Sequence, residues 1–334
     1  MKAYVMPAGC KGVDDLKLVE RDDPKPGPGQ VVVRVRAASL NYRDQAAITG
    51  NYFQPVIQDT IPLSDGAGEI IEVGEGVRGL KVGDRVAGTF SQPDPKGPAN
   101  GPPMPMGLPL DGMLAEKVLM HEVGAIKLPD GYSFEDGACL PCAGVTAWNC
   151  LFGVGKPVKP GDTVLVLGTG GVSIWGLQFG KAAGCRVIAT TSRDAKAQRL
   201  QALGASDVIN YSTHEKWDEE VMKVTSDRGV DCVVEVGGAG TLQRSYNSIA
   251  RGGKIGLIGV LTQGTSNPHT LMMKGGSLHG IFVGDRALFE QMNAGINANG
   301  IKPVIDKVFP FAQAKDAFRH QASGDFIGKV VIAI

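Results

Sequence analysis

A chain of 334 residues is longer than one ordinary hydrophobic core accommodates and points to two domains. Its 43% hydrophobic and 20% charged residues are those of a globular protein, not a disordered one. Equal numbers of basic and acidic residues, 34 of each, leave no net charge to attract a polyanion, so no nucleic-acid partner is expected. The 47 glycines have no three-residue period, which excludes a collagen-like chain and marks them as turn and close-approach positions. No charged-then-apolar leader opens the chain, and no apolar run reaches the roughly 18 residues a bilayer span needs, so no membrane association is expected. Six cysteines are too sparse for a disulfide framework, and a cytoplasmic location is the expectation.

In chain order, Gln30 to Arg36 is rich in β-branched residues and reads as a strand. The glycine-punctuated segments Asp65 to Val77 and Leu80 to Val86 predict short strands of a curved sheet or partial barrel. Prolines 93, 95, 98, 102, 103, 105 and 109 then exclude helix or central strand between Ser91 and Gly112. That stretch is read as a lid or as a surface excursion without a role. After Gly161 the pattern becomes alternating strand and helix. Strands are predicted at Thr163–Leu167, Arg186–Thr190, Asp207–Tyr211, Asp231–Val236 and Lys254–Ile258. Helices are predicted over Gly171–Ala183, stopped by Gly184, and Ala195–Leu203, stopped by Gly204. Two more helices, near Arg286–Ala298 and Ala312–Ser323, precede a closing strand at Lys329–Ile334. The whole is an α/β chain with a doubly wound parallel sheet and a mainly β second domain.

The most informative residues are Val166-Leu167-Gly168-Thr169-Gly170-Gly171-Val172-Ser173, a strand, a glycine turn and a helix start. Gly168 permits the tight turn, Gly170 lets the backbone approach a pyrophosphate, and the helix N-terminus offers N–H groups to the anion. Ser173 stands where a third glycine usually serves helix–strand packing. An NAD-binding chain usually places a carboxylate about 20 residues further on, for the ribose 2′-hydroxyl. Here that region reads Thr190-Thr191-Ser192-Arg193-Asp194, so hydroxyl and basic groups face a 2′-phosphate and NADP(H) is the expected cofactor. Lys196 adds charge and Tyr211 a hydroxyl or stacking face, while Asp194 suits a helix N-cap or first turn. The alternative for Arg193 and Lys196 is a solvated helix start.

The chain resembles the medium-chain dehydrogenase/reductase superfamily over essentially its whole length. The resemblance is carried by Gly66-Ala67-Gly68, Val73-Gly74-Glu75-Gly76-Val77, Val82-Gly83-Asp84-Arg85-Val86, Leu140 to Ala147, Gly168 to Val172, and Ala202-Leu203-Gly204-Ala205. It looks most like the zinc-independent branch of quinone oxidoreductase-like and alcohol-dehydrogenase-like reductases. That resemblance implies a GroES-like catalytic domain split between residues 1–130 and 285–334, around a Rossmann NADP(H)-binding domain at 131–284. It also implies an interdomain cleft and a homodimer. The catalytic zinc ligands of the family fall on Asn41, Ser64 and Cys142, and the cysteine-rich structural-zinc loop on the cysteine-free stretch from Ser91 to Gly112. One thiolate does not make a three-ligand zinc site, so no metal is expected. Cys139-x-x-Cys142 has no second pair and reads as small buried residues.

Without a Lewis acid to stabilise an alkoxide, the accessible chemistry is hydride transfer from NADPH to an electron-poor acceptor, a quinone or a C=C conjugated to carbonyl. Hydrogen-bond donors at the acceptor oxygen then replace the metal. The resemblance implies that these are Asn41, Tyr42 and Ser64, with Tyr42 either an acid or an aromatic wall, and Asp44 and Asp65 orienting neighbours. By resemblance Thr146 lies beside the nicotinamide. The same resemblance implies that Val236, Gly237, Gly259 and Val260 line the cofactor, that Phe282 and Val283 approach the carboxamide, and that Lys329 approaches the cofactor or the cleft. No histidine sits in a triad or relay motif. The other readings are a zinc-independent carbonyl or alcohol oxidoreductase and a non-catalytic NADPH-binding protein.

Overall fold

The computed structural model describes residues 1–97 and 100–334, so Pro98 of the proline-rich stretch lies outside the described residues. Two compact units are present, one made of Met1–Ala143 with Asp285–Ile334 and the other of Gly144–Gly284.

The first unit is built on a seven-stranded sheet. Its strands run Ile305–Pro310, Lys329–Ala333, Gln30–Ser39, Asp65–Val73, Arg85–Gly88 and Ala125–Lys127 in spatial order, with Lys117–His121 also paired to Gln30–Ser39. The closing strand therefore joins the two ends of the chain: Val331 pairs with Ser39, and the Leu40 N–H donates to the Val330 carbonyl. Alternating residues of Gln30–Ser39 (Val31, Val33 and Val35 among them) feed one core with Ile70, Val86, Met113, Met120 and Phe318. Residues 131–143, placed by the family pattern in the Rossmann domain, belong here. The helix Phe134–Ala138 packs on the sheet, Gly137 meets Leu128 and Ala67, and the Ser39 hydroxyl donates to the Ala138 carbonyl at 2.7 Å.

The proline-rich stretch is anchored along most of its length. Gln30 Nε2 donates to the Pro95 carbonyl, and Arg43 donates to the carbonyls of Met106 at 2.8 Å and Leu108 at 2.9 Å. Met106, Leu108 and Leu110 are core residues, so its second half is interior structure, not a surface excursion.

The second unit carries a six-stranded parallel sheet. Its spatial order is Asp207–Asn210, Arg186–Thr191, Thr163–Val166, Val230–Glu235, Ile249–Leu257 and Ser277–Gly280. The first-formed strand lies in the middle and the order reverses beside it, the doubly wound arrangement in which ligands bind at the carboxyl ends of the strands. The Thr163–Val166 strand is wholly buried, as expected for a central parallel strand. The helix Gly171–Ala182 ends before Gly184 (φ +77), and Asp194–Leu203 ends at Gly204 (φ +113), both left-handed as helix stops require. Among the described residues no helix is long and apolar enough to cross a membrane.

Candidate functional site

In the second unit, Gly168 adopts φ +74, which an L side chain disfavours, and its N–H donates to the Thr190 hydroxyl at 3.0 Å. Gly170 precedes the helix Gly171–Ala182 with no side chain filling the N-cap, and space is open where a Cβ would stand on Gly168 and Gly170. The first N–H groups of that helix, from Gly171 and Val172 onward, are thus left for an external anion. Ser173 turns its hydroxyl into the structure, donating to the Leu167 carbonyl at 2.6 Å. Close packing of helix on sheet is supplied instead by Gly176, whose Cβ would meet Val166 at 3.3 Å and Val234 at 3.4 Å, and by Gly180 against Val187. The signal was available: Ser173, Gly176 and Gly180 share one helical face.

Around this turn the structure assembles most of the expected cofactor residues. Lys196 is buried and its ammonium donates to the Thr169 hydroxyl at 3.3 Å, bringing a positive charge to the glycine turn. The Arg193 N–H donates to the Thr191 hydroxyl, and the Tyr211 N–H donates to the Thr191 carbonyl at 2.9 Å. Ser192 and Arg193 therefore lie between the glycine turn and Tyr211. Asp194 is a first-turn carboxylate engaged by Asn210 Nδ2 at 2.7 Å.

At the next strand ends, Glu235 is a residue that sequence reasoning passed over. Its fully buried carboxylate accepts from the N–H groups of Gly237 at 2.7 Å and Gly238 at 3.0 Å, and from the hydroxyls of Thr241 and Ser245. Its carbonyl accepts from Ile258 and Gly259, which ties the Val236–Gly237 turn to the Gly259–Val260 turn. Further along, Val283 holds φ +54, an outlier for a β-branched residue, and its carbonyl accepts from Asn149 Nδ2 at 2.7 Å. Asn149 follows the short helix that carries buried Thr146, between π-helical segments at Leu140–Gly144 and Asn149–Gly153. Phe282 is exposed beside Val283.

In the first unit the three positions of the family's metal ligands converge on one hydrogen-bonded cluster. Asn41 Nδ2 donates to the Ser64 hydroxyl at 3.5 Å, Ser64 donates to Asp65 Oδ1 at 2.6 Å, and the Cys142 N–H donates to Asp65 Oδ2 at 3.0 Å. Lys329 is only 3% exposed and donates to Asn41 Oδ1 and to the Leu40 carbonyl, each at 2.6 Å. Its ammonium, assigned by resemblance to the cofactor or the cleft, makes both of these hydrogen bonds inside this cluster, because strand pairing sets it beside Leu40. The Asn41 N–H donates to Asp44 at 2.7 Å at the start of the helix Tyr42–Ile48, and Arg43 lies 3.5 Å from the same carboxylate. Burial pushes the Asp44 carboxyl up to about 6, against the lowering pull of Arg43. Tyr42 is 54% exposed and does not join the cluster.

Ser64 is placed by a strained neighbour. Leu63 holds φ +71, and the backbone of Gly107 and Gly112 closes over it so tightly that a Cβ on Gly112 would stand 2.2 Å from the Leu63 carbonyl. A left-handed non-glycine residue ordinarily costs about 1–3 kcal/mol, and here it packs directly against the backbone of the proline-rich stretch.

These donors do not fit a catalytic zinc. Asn41 and Ser64 are neutral, burial and the neighbouring Asp65 push the Cys142 thiol well above its ordinary range, and an ammonium already occupies the amide oxygen. No group of three His, Cys, Asp or Glu that could hold a metal occurs among the described residues. Cys139 is buried with its thiol pushed up to about 12, and none of the six cysteines forms a disulfide.

Residues 27–130 match the alcohol dehydrogenase GroES-like domain and residues 171–297 the zinc-binding dehydrogenase domain. A zinc-type alcohol dehydrogenase-like protein of Schizosaccharomyces pombe is 42% identical over 99% of both chains. The crystal structure of a putative alcohol dehydrogenase from Sinorhizobium meliloti superimposes with a TM-score of 0.89 at 36% identity, covering all of both chains. A Pseudomonas syringae quinone oxidoreductase (TM-score 0.84) and a mycobacterial protein complexed with NADPH (0.83) each match at 27% identity, again over all of both chains. The chain belongs to the medium-chain dehydrogenase/reductase superfamily, with a GroES-like unit and a Rossmann unit. It is an oxidoreductase of that family.

Proposed function

We propose that this chain is an NADPH-dependent reductase that works without zinc and transfers hydride to a quinone or to a C=C conjugated to a carbonyl. The observation that carries this reading is the cluster at the metal-ligand positions, where Lys329, Asn41, Ser64 and Asp65 form one hydrogen-bonded chain. When bound, the nicotinamide supplies hydride. As hydride reaches the acceptor carbon, negative charge collects on the conjugated oxygen, and an N–H of Asn41 donates to it as an oxyanion-hole group does. The resulting enolate or hydroquinone anion takes its proton from water or from the exposed phenol of Tyr42. Ser64 does not serve as a second donor, because its hydrogen is committed to Asp65. Alcohol oxidation is disfavoured, since nothing in this cluster lowers the pKa of a bound alcohol as a metal does.

The second reading, a zinc-independent carbonyl or alcohol oxidoreductase, is favoured by the alcohol dehydrogenase names of the relatives. NADPH oxidation followed at its near-ultraviolet band, with quinones, enones and aldehydes in the presence of a chelator, separates the two. Turnover of quinones or enones is the expected result. Turnover confined to aldehydes gives the second reading, and activity lost on chelation ends the zinc-free one.

For the cofactor, the support is the absence of a carboxylate on Thr190 to Arg193 together with the cations of Arg193 and Lys196. A charge-assisted hydrogen bond is worth about 1.5–3 kcal/mol, so Arg193→Ala weakens NADPH binding about tenfold or more. NADH, which lacks the 2′-phosphate, loses less than about threefold on the same scale. Equal losses in fluorescence titrations would remove the assignment to the 2′-phosphate.

A further inference from the structure

The ammonium of Lys329 has three hydrogens and no lone pair, so every atom bonded to it is an acceptor. One of those atoms is the end of the Asn41 side chain 2.6 Å away, which must therefore be the amide oxygen. Ser64 imposes the same orientation from the other side. Its single hydrogen goes to Asp65 at 2.6 Å, so toward Asn41, 3.5 Å away, it can only accept, and what faces it is the amide nitrogen. The Asp65 carboxylate lies 3.9 Å from the Lys329 ammonium, which closes the circuit between the two charges. An amide nitrogen carries two hydrogens, and the one not aimed at Ser64 is left for another acceptor.

We propose that Lys329 is a positioning residue for hydride transfer: it locks the Asn41 amide with its N–H face toward the acceptor and, through the amide oxygen, polarises that N–H. The inference rests on the reading above, in which an acceptor oxygen receives a hydrogen bond from Asn41. The two anions near the amide, Asp44 and Asp65, are matched by two cations, Arg43 and Lys329, so the cluster is neutral overall while its one reorientable group is held by a cation. An amide released from Lys329 keeps only the long 3.5 Å contact with Ser64 and the capping interaction with the Asp44 backbone, so its oxygen turns outward more often, where it repels the developing oxyanion.

The test compares Lys329→Met, which removes both charge and donors, with Lys329→Gln, which keeps a shorter neutral donor. Three quantities are read: kcat and KM on an accepted quinone or enone, the NADPH dissociation constant, and the side-chain amide resonances of Asn41 in 15N-labelled protein, assigned by their loss in Asn41→Asp. Lys329→Met is expected to lower kcat about 30-fold or more, leave the NADPH dissociation constant within about threefold, and shift the Asn41 amide pair. Lys329→Gln is expected to recover part of kcat, and it carries the same comparison if Lys329→Met does not fold. A weakened NADPH affinity with kcat intact would make Lys329 a cofactor residue and overturn the proposal, as would unchanged kcat and Asn41 resonances. If the wild-type protein reduces none of the acceptors, the functional reading fails by itself. The resonances then still decide whether Lys329 orients the amide.

Discussion

Replacing Asn41 with Asp is expected to lower kcat/KM for a quinone or enone by about 10²- to 10³-fold, the range seen when an oxyanion-hole donor is removed. The substitution keeps an oxygen 2.6 Å from the Lys329 ammonium and keeps a residue type that suits the position before the helix Tyr42–Ile48. What it removes is the N–H pair, and it adds an acceptor where negative charge develops. NADPH affinity is expected to stay near the wild-type value, because Asn41 lies in the GroES-like unit while the glycine turn and the residues around Lys196 lie in the other. Steady-state kinetics beside a fluorescence titration check both halves. A variant keeping kcat/KM within about threefold would show that the acceptor oxygen is polarised elsewhere, Tyr42 being the next group to examine.

Gly259→Ala is the second large effect, and it acts on the cofactor side. A Cβ on Gly259 would stand 1.8 Å from the Val236 carbonyl oxygen and 2.7 Å from the Gly237 nitrogen. Both are backbone atoms with no rotamer to yield, and the Gly259 N–H is itself bonded to the Glu235 carbonyl at 3.0 Å. Relief requires the two strand ends to part, breaking the turns that Glu235 binds together. The expected cost is about 1–3 kcal/mol of stability, as for overpacking elsewhere. Displacement of the Val236–Gly237 turn is expected to weaken NADPH at least tenfold, a loss of about 1.4 kcal/mol. Denaturant unfolding and cofactor titration measure the two separately. If the Gly259→Ala protein binds NADPH about as tightly as wild type, this pair of turns does not contact the cofactor.

The nucleotide-binding half was legible because its signals are local. The strand before Gly168, the positive φ of Gly168, and the helix stops at Gly184 and Gly204 are each decided by a few consecutive residues. That Asn41 and Ser64 carry a neutral amide and a hydroxyl was equally readable, since this concerns which atoms are present at all. Glu235, by contrast, was one acid among 34 acidic residues until folding buried it under two N–H groups and two hydroxyls. The proline-rich stretch misled for a related reason. Prolines announce irregular backbone, but whether such backbone is peripheral depends on who satisfies its carbonyls, and here Arg43 reaches them from 63 and 65 positions away in the chain.

From its residues alone the chain determined a Rossmann turn, a second-strand end whose acid, Asp194, comes only after Arg193, and the neutral side chains of Asn41 and Ser64. All three follow from chemical identity at short range. Only the tertiary structure decided that Lys329 meets Asn41, 288 residues apart. Antiparallel pairing of the closing strand with Gln30–Ser39 sets the register, and the register, not any local preference, delivers the ammonium to the amide.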